Sequence, residues 1–162
     1  MIFVTVGHKE FDRLIRNMDD ITNETGKEAI MQIGDRPKYF PVNAKYSRFL
    51  THAEIDACFQ KAQVIIAHCS IGPIINARKY SKPLIMVPRM YYYREHVDDH
   101  QLEFAKMLTK QKYIQGIKLV FDIKDLKKII EEISESKEKV FSKTSEDKAR
   151  LLSTLNRFIM SI

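Results

Sequence analysis

The run VIIAH at residues 64–68 has no polar side chain until its last position. A strand of that kind has no face to turn toward water, so it must be covered on both sides. PLIMVP (83–88) makes the same demand, and IFVTV (2–6) makes it again at the start of the chain. Strands buried on both faces belong to parallel sheets flanked by helices. The segments between the runs supply those helices. In FDRLIRNMDDI, the residues Phe11, Leu14, Ile15, Met18 and Ile21 share one helical face. Thr51 and Glu54 form a capping-box pattern at the start of THAEIDACFQKA. CSIGPIINARKY, HQLEFAKMLTKQ and DIKDLKKIIEEISES read as further helices.

EAIMQIG (28–34) reads as the second strand. YFPV and YSRFL are weaker strand candidates, because Pro41 excludes a central place in a sheet. YIQGIKLVF supplies one or two short strands near the end. The expectation is one Rossmann-like α/β domain with a mainly parallel sheet over residues 1–135. A helical extension of the same domain is expected over residues 136–162.

Composition narrows the setting. With 44% hydrophobic and 30% charged residues, the chain has the balance of a folded soluble domain. No apolar run approaches the roughly 20 residues that cross a bilayer, and MIFVTVG lacks the basic start of a signal peptide. Cys58 and Cys69 form neither a CxxC pair nor a disulfide framework, which fits a reducing, cytoplasmic location. The net charge of +6 suits an acidic partner such as a nucleotide or an anionic membrane surface.

In open parallel sheets, ligands bind beyond the carboxyl ends of the strands. Three turns qualify: GHKEFD after the first strand, HCSIGP after VIIAH, and PRMYYYREHVDDHQ after PLIMV. Four of the five histidines fall in them. HCSIGPI opens a helix, whose free backbone N–H groups and positive dipole end suit a phosphate; Ser70 can cap it or donate to an oxygen. A ligand-free strand-to-helix turn fits the same residues. GxxxxGK[ST] does not occur, and the first strand does not run into GxGxxG. His96 and His100 stand four apart, a spacing that puts two imidazoles on one helix face, and with Asp99 they could hold zinc. HExxH is absent, and Asp98 or Asp99 is better placed as the cap of the following helix. Gln101 then lies in the first turn, with an amide able to bond a polyol hydroxyl.

IFVTVG…FDRLI, QIG after the second strand, and VIIAHCSIGPIINARKYSKPLIMVPRMYYYREHVDDHQLEFAKML together resemble the glycosyltransferase family 28 C-terminal domain. The likeness is to its free-standing form. That form includes the catalytic subunit of a two-component UDP-GlcNAc transferase of dolichol-linked oligosaccharide synthesis, and bacterial exopolysaccharide and capsule relatives.

The resemblance implies half of a GT-B architecture that binds a UDP-sugar. It implies inverting, metal-independent transfer of GlcNAc, Gal or GlcA to a lipid-linked saccharide, with no cofactor. By the same resemblance Gly7, His68, Ser70, Ile71 and Gly72 face the diphosphate, while Glu95, Asp99, His100 and Gln101 reach the donor sugar and ribose. Lys9 and Arg89 are candidate cations for the leaving group, and His8 is the candidate general base. This chain has HCSIGP where relatives show small residues such as HAGAGS, and GHKEFD where a threonine usually follows the glycine.

A GT-B enzyme closes two such domains over its substrates. The acceptor side is therefore expected from a membrane-associated partner subunit, which would hold this chain at the membrane periphery. Leu151, Leu152, Leu155, Phe158 and Ile159 form an amphipathic stripe that suits either the domain's own core or that partner. A regulatory subunit that binds a nucleotide sugar without catalysis is the rival reading. A metal-dependent hydrolase using His96 and His100 is a weaker third.

Overall fold

A computed structural model describes residues 1–110 and 115–135, with the single positions 149, 153 and 156. The expected strands and helices alternate through it. They are β1 (Ile2–Thr5), α1 (Asp12–Thr25), β2 (Ala29–Gln32), β3 (Lys45–Ser47), α2 (His52–Lys61) and β4 (Val64–His68). Then come α3 (Ile71–Lys79), β5 (Leu84–Val87), α4 (His100–Lys110), β6 (Ile117–Leu119) and α5 (Leu126–Glu135). The five apolar stripe residues at 151–159 lie outside the described residues.

The strands form one six-stranded sheet in the order β3-β2-β1-β4-β5-β6, and every pairing is parallel. This is the doubly wound order, and the expected α/β class holds. Side chains alternate along each strand and divide the core in two. Ile2 and Val4 of β1 and Val6 just beyond it, with Ile66, Ile85 and Val87, meet Leu14, Ile15 and Met18 of α1 and Ile130 of α5. Phe3, Ile65, Ala67, Leu84 and Met86 face the other way, onto Phe59 of α2, Ile74 and Ala77 of α3, and Phe104 and Leu108 of α4. Two-sided burial is what the apolar runs demanded.

Local signals set the helix ends. Thr51 and Glu54 complete the capping box, the Thr51 side chain accepting from the Glu54 N–H while Glu54 accepts from the Thr51 N–H at 2.7 Å. Gly26 ends α1 in the left-handed conformation, its N–H donating to Thr22 O. The segment YFPV is not a strand. Its backbone donors find carboxylates on α1 instead: Asp12 accepts from Lys38 and Tyr39 N–H, and buried Asp19 accepts from Val42 and Asn43 N–H and from the Tyr39 hydroxyl. Only Lys45–Ser47 pairs as the edge strand.

The strand order reverses between β1 and β4. The chain leaves β1 toward α1 on one face and leaves β4 toward α3 on the other, which opens a crevice at their carboxyl ends.

Candidate active site at the strand crossover

Gly7 and His68 meet in that crevice. Gly7 has φ +70, and a Cβ there would stand 2.8 Å from His68 Cε1. Only glycine allows the first loop to lie so close to the imidazole. Gly34, after β2, supports the same loop from the other side. Its φ is +86, and a Cβ would stand 2.7 Å from the Lys9 carbonyl carbon and oxygen.

His68 is half-buried, with Nε2 2.8 Å from Ser70 Oγ. Its buried Nδ1 has no hydrogen-bond partner among the described residues. Burial, and then the nearby Arg89 charge, push its pKa down to about 4, against a weaker opposing pull from the Thr5 backbone. The ring is therefore neutral at pH 7. Ser70 stands at the N-cap of α3 without using its side chain as a cap, so its hydroxyl remains in the crevice beside the first helical N–H groups. A Cβ on Gly72 would meet no atom within 4 Å, so packing does not explain that glycine.

These residues line a cavity of about 360 Å³. Its floor and walls also include Thr5, Gln32, Phe49, Ile55, Phe59, Pro73 and Asn76. None of these seven stood among the sequence-derived site residues. Thr5 and Gln32 did leave a signal, as polar residues at the carboxyl ends of apolar strands; both are buried, and Thr5 Oγ1 donates to Gln32 Oε1 at 2.7 Å. Phe49 and Ile55 come from distant segments and left none. Its apolar walls come from Phe49, Ile55, Phe59 and Pro73, and its polar groups from β1, β2 and the start of α3.

His8 is exposed, its ring 5.3 Å from that of Phe49. It also lines a second cleft, of about 410 Å³, with Lys9, Glu10, Asp35, Arg36, Arg94, Glu95, His96 and Val97. The loop at Gly7–Glu10 thus separates the two spaces, and His8 borders both.

Arg89 and Glu95 hold the loops that frame these spaces. The Arg89 side chain is 3% exposed and donates to the carbonyls of Val6 (2.7 Å), Lys9 (2.6 Å) and Glu10 (3.2 Å). Burial lowers its pKa to about 10, against the pull of Glu95 and Glu10, which leaves it charged at pH 7. Arg89 is thus a staple for the β1–α1 loop rather than an exposed cation. Glu95 forms a bidentate pair with Arg13, at 2.6 and 2.9 Å, and accepts from Met90 N–H. Its carboxylate ties the β5–α4 loop to α1.

Helix α4 begins at His100, so His96 lies in the preceding turn and the two imidazoles do not share a helix face. They share Asp98 instead. Its Oδ1 lies 2.7 Å from His96 Nδ1 and accepts from His100 N–H, and its Oδ2 lies 3.4 Å from His100 Nε2. Asp98 is the side chain that caps α4, whereas Asp99 accepts from Tyr91 N–H. Gln101 Oε1 accepts from Arg89 N–H, leaving its amide nitrogen, not both ends of the amide, for a ligand. Asp99 and His100 are exposed beside it.

Tyr91–Tyr93 form one 3-10 turn on this loop, and Arg94 follows it at φ +56. A non-glycine residue in that conformation costs about 1–2 kcal/mol. Among the described residues no helix is long and apolar enough to cross a membrane.

Comparison with known proteins accords with this architecture. The profile of the glycosyltransferase family 28 C-terminal domain matches residues 1–157. The UDP-N-acetylglucosamine transferase subunit ALG13 of Homo sapiens is 28% identical over 124 residues, covering 70% of this chain and 10% of that protein. Among solved structures, the calicheamicin glycosyltransferase CalG4 superposes with a TM-score of 0.57 at 16% identity, over 99% of this chain and 38% of that one. The glycotransferase of kitacinnamycin gives 0.62 at 12% identity, over 97% and 39%. The chain therefore spans well under half the length of each of these relatives.

Proposed function

The chain belongs to the glycosyltransferase family 28 C-terminal domain family, and from that premise we propose that it binds a UDP-sugar donor and serves an inverting hexosyl transfer to a lipid-linked saccharide. The crevice where Gly7 and His68 meet beside the start of α3 carries the reading. Phe49 and Ile55 offer apolar surface to the nucleoside, with Asn76 and Gln32 as its polar contacts. The diphosphate takes the Ile71 and Gly72 N–H groups and the Ser70 hydroxyl. With its proton on Nε2, neutral His68 donates to Ser70 Oγ, which frees the Ser70 O–H to donate to a phosphate oxygen. The Gln101 amide nitrogen, Asp99 and His100 take sugar hydroxyls. Glu95 and Arg89 act on the substrate through the loops they hold.

In the reaction, the bond between the sugar C1 and the UDP oxygen breaks as an acceptor hydroxyl oxygen attacks from the opposite face. The hydroxyl proton passes to His8, which borders both spaces. The departing UDP carries the bonding electron pair, and donors fixed at α3 meet that charge without reorganising.

CalG4 and the kitacinnamycin enzyme extend well beyond the matched region, and the human relative is by its name a subunit. We assign the acceptor-side domain to a membrane-associated partner and the donor sugar to GlcNAc, Gal or GlcA. Calorimetry against UDP and the three UDP-sugars, with and without EDTA, tests the donor assignment. Saturable UDP binding is expected, indifferent to EDTA. No binding to any UDP compound would end this reading, and loss of binding in EDTA would return a metal to the site. Binding without turnover in the presence of the partner would favour the regulatory alternative.

A further inference from the structure

The second cleft holds more positive charge than the donor site uses. Two of its three carboxylates face a cation within the protein. Glu95 pairs with Arg13, and Asp35 with Arg36 and Arg48. Lys9 and Arg94 line the same cleft, both are exposed, and neither side chain has a hydrogen bond or ion pair among the described residues. Arg94 also occupies a backbone conformation that favours glycine. An arginine held there at a conformational cost, with its guanidinium unpaired, points to an anion.

The neighbours of Arg94 say which kind. Tyr91, Tyr92 and Val97 are 61%, 85% and 74% exposed on the same loop, and Tyr92 meets Tyr93 edge-on at 5.1 Å. Cations beside exposed aromatic and aliphatic side chains match a phosphate ester that continues into a hydrocarbon chain. We propose that Lys9 and Arg94 bind the phosphate that links the acceptor saccharide to its lipid, with the Tyr91–Tyr93 turn and Val97 against the first part of that lipid. This inference rests on the transferase reading above. It adds an acceptor contact to the domain that binds the donor, and it places the acceptor on the side of His8 opposite the nucleotide.

The test uses the full chain saturated with UDP, titrated with farnesyl diphosphate and, as a control without phosphate, farnesol. Farnesyl diphosphate should bind the UDP-saturated protein and farnesol should not. Arg94→Gly should weaken the diphosphate about ten-fold, the effect of losing a charge-assisted hydrogen bond, while UDP affinity stays within about two-fold. Its melting temperature should be unchanged or higher, since glycine fits φ +56. Lys9→Ala should weaken the same probe.

Unaltered diphosphate affinity in Arg94→Gly would overturn the inference. So would displacement of UDP by farnesyl diphosphate, or a matching loss of UDP affinity, since either would make the cleft part of the donor site. Equal, Arg94-dependent binding of phosphatidylglycerol vesicles would make the site a membrane contact and overturn the acceptor assignment. Failure of UDP to bind at all would instead end the transferase reading, and Arg94-dependent binding of the diphosphate would then still stand.

Discussion

The two ends of the sheet present opposite lessons about what makes a site. At the amino end lies the larger space, about 720 Å³, bordered by Lys27, Glu28, Lys61, Gln63, Lys82 and Ser134. Several of its polar groups are engaged within the protein: Lys27 donates to Ser134, Glu28 pairs with Lys45 of β3, and the Met1 ammonium donates to Gln63. At the carboxyl end the spaces are smaller, yet two glycines permit backbone approach, a helix starts, and a histidine is held neutral. Volume does not select the site. Helix N-termini and strand-end loops all point to the carboxyl end of a parallel sheet, so ligand chemistry concentrates there.

Perturbing each end separately sharpens this contrast. The largest effect is expected from His8→Ala, which should lower turnover in the complete enzyme about 10²- to 10⁴-fold, the usual worth of a general base. UDP affinity should hold, and a fully active variant would remove His8 from the chemistry. Gly34→Ala comes next. It combines a disfavoured positive φ with a backbone clash at Lys9, and urea unfolding should show a loss of about 3 kcal/mol. A near-neutral result would mean that the loop is not pinned from below.

The His68 pKa, about 4 in the fold against 6.5 as its ordinary value, gives a signed pH prediction. In that window the unfolded chain binds a proton that the folded chain refuses. The stability present above pH 6.5 should therefore fall by roughly 1 kcal/mol per unit as the pH drops toward 4. His68→Gln should flatten that slope; an unchanged slope would assign it to other groups. Arg13→Ala should cost about 2 kcal/mol in thermal or urea unfolding by leaving Glu95 half-buried and unpaired. The smallest effect belongs to the amino end. Lys61→Ala and Lys82→Ala should each leave UDP affinity within about two-fold and stability within about 0.5 kcal/mol. A larger change in affinity would break the contrast.

What could be read in advance depended on how local the cause was. VIIAH is a strand at its full length because nothing but a two-sided core accepts such a run, and the capping box at Thr51 is a contact between residues three apart. YFPV had strand composition, but its backbone donors went to Asp12 and Asp19, whose sequence positions give no hint of that reach. Arg89 and Glu95 lie in the loop after β5, as the sequence indicates, but their side chains turn into the protein rather than toward solvent. Their partners lie some 80 residues away, at Val6, Lys9 and Arg13, and only the assembled sheet brings these together. The spacing of His96 and His100 suggested one helix face, because periodicity alone could not show that Asp98 starts the helix at His100.

Mapping amide NMR shifts during titration with UDP tests the central claim most directly. A donor bound at the strand crossover predicts saturable shifts at Gly7, Ser70, Gly72 and Asn76, with Gln63, Ser81 and Lys82 at the amino end undisturbed. Shifts concentrated at Gln63, Ser81 and Lys82, or no saturable shifts at all, would contradict it.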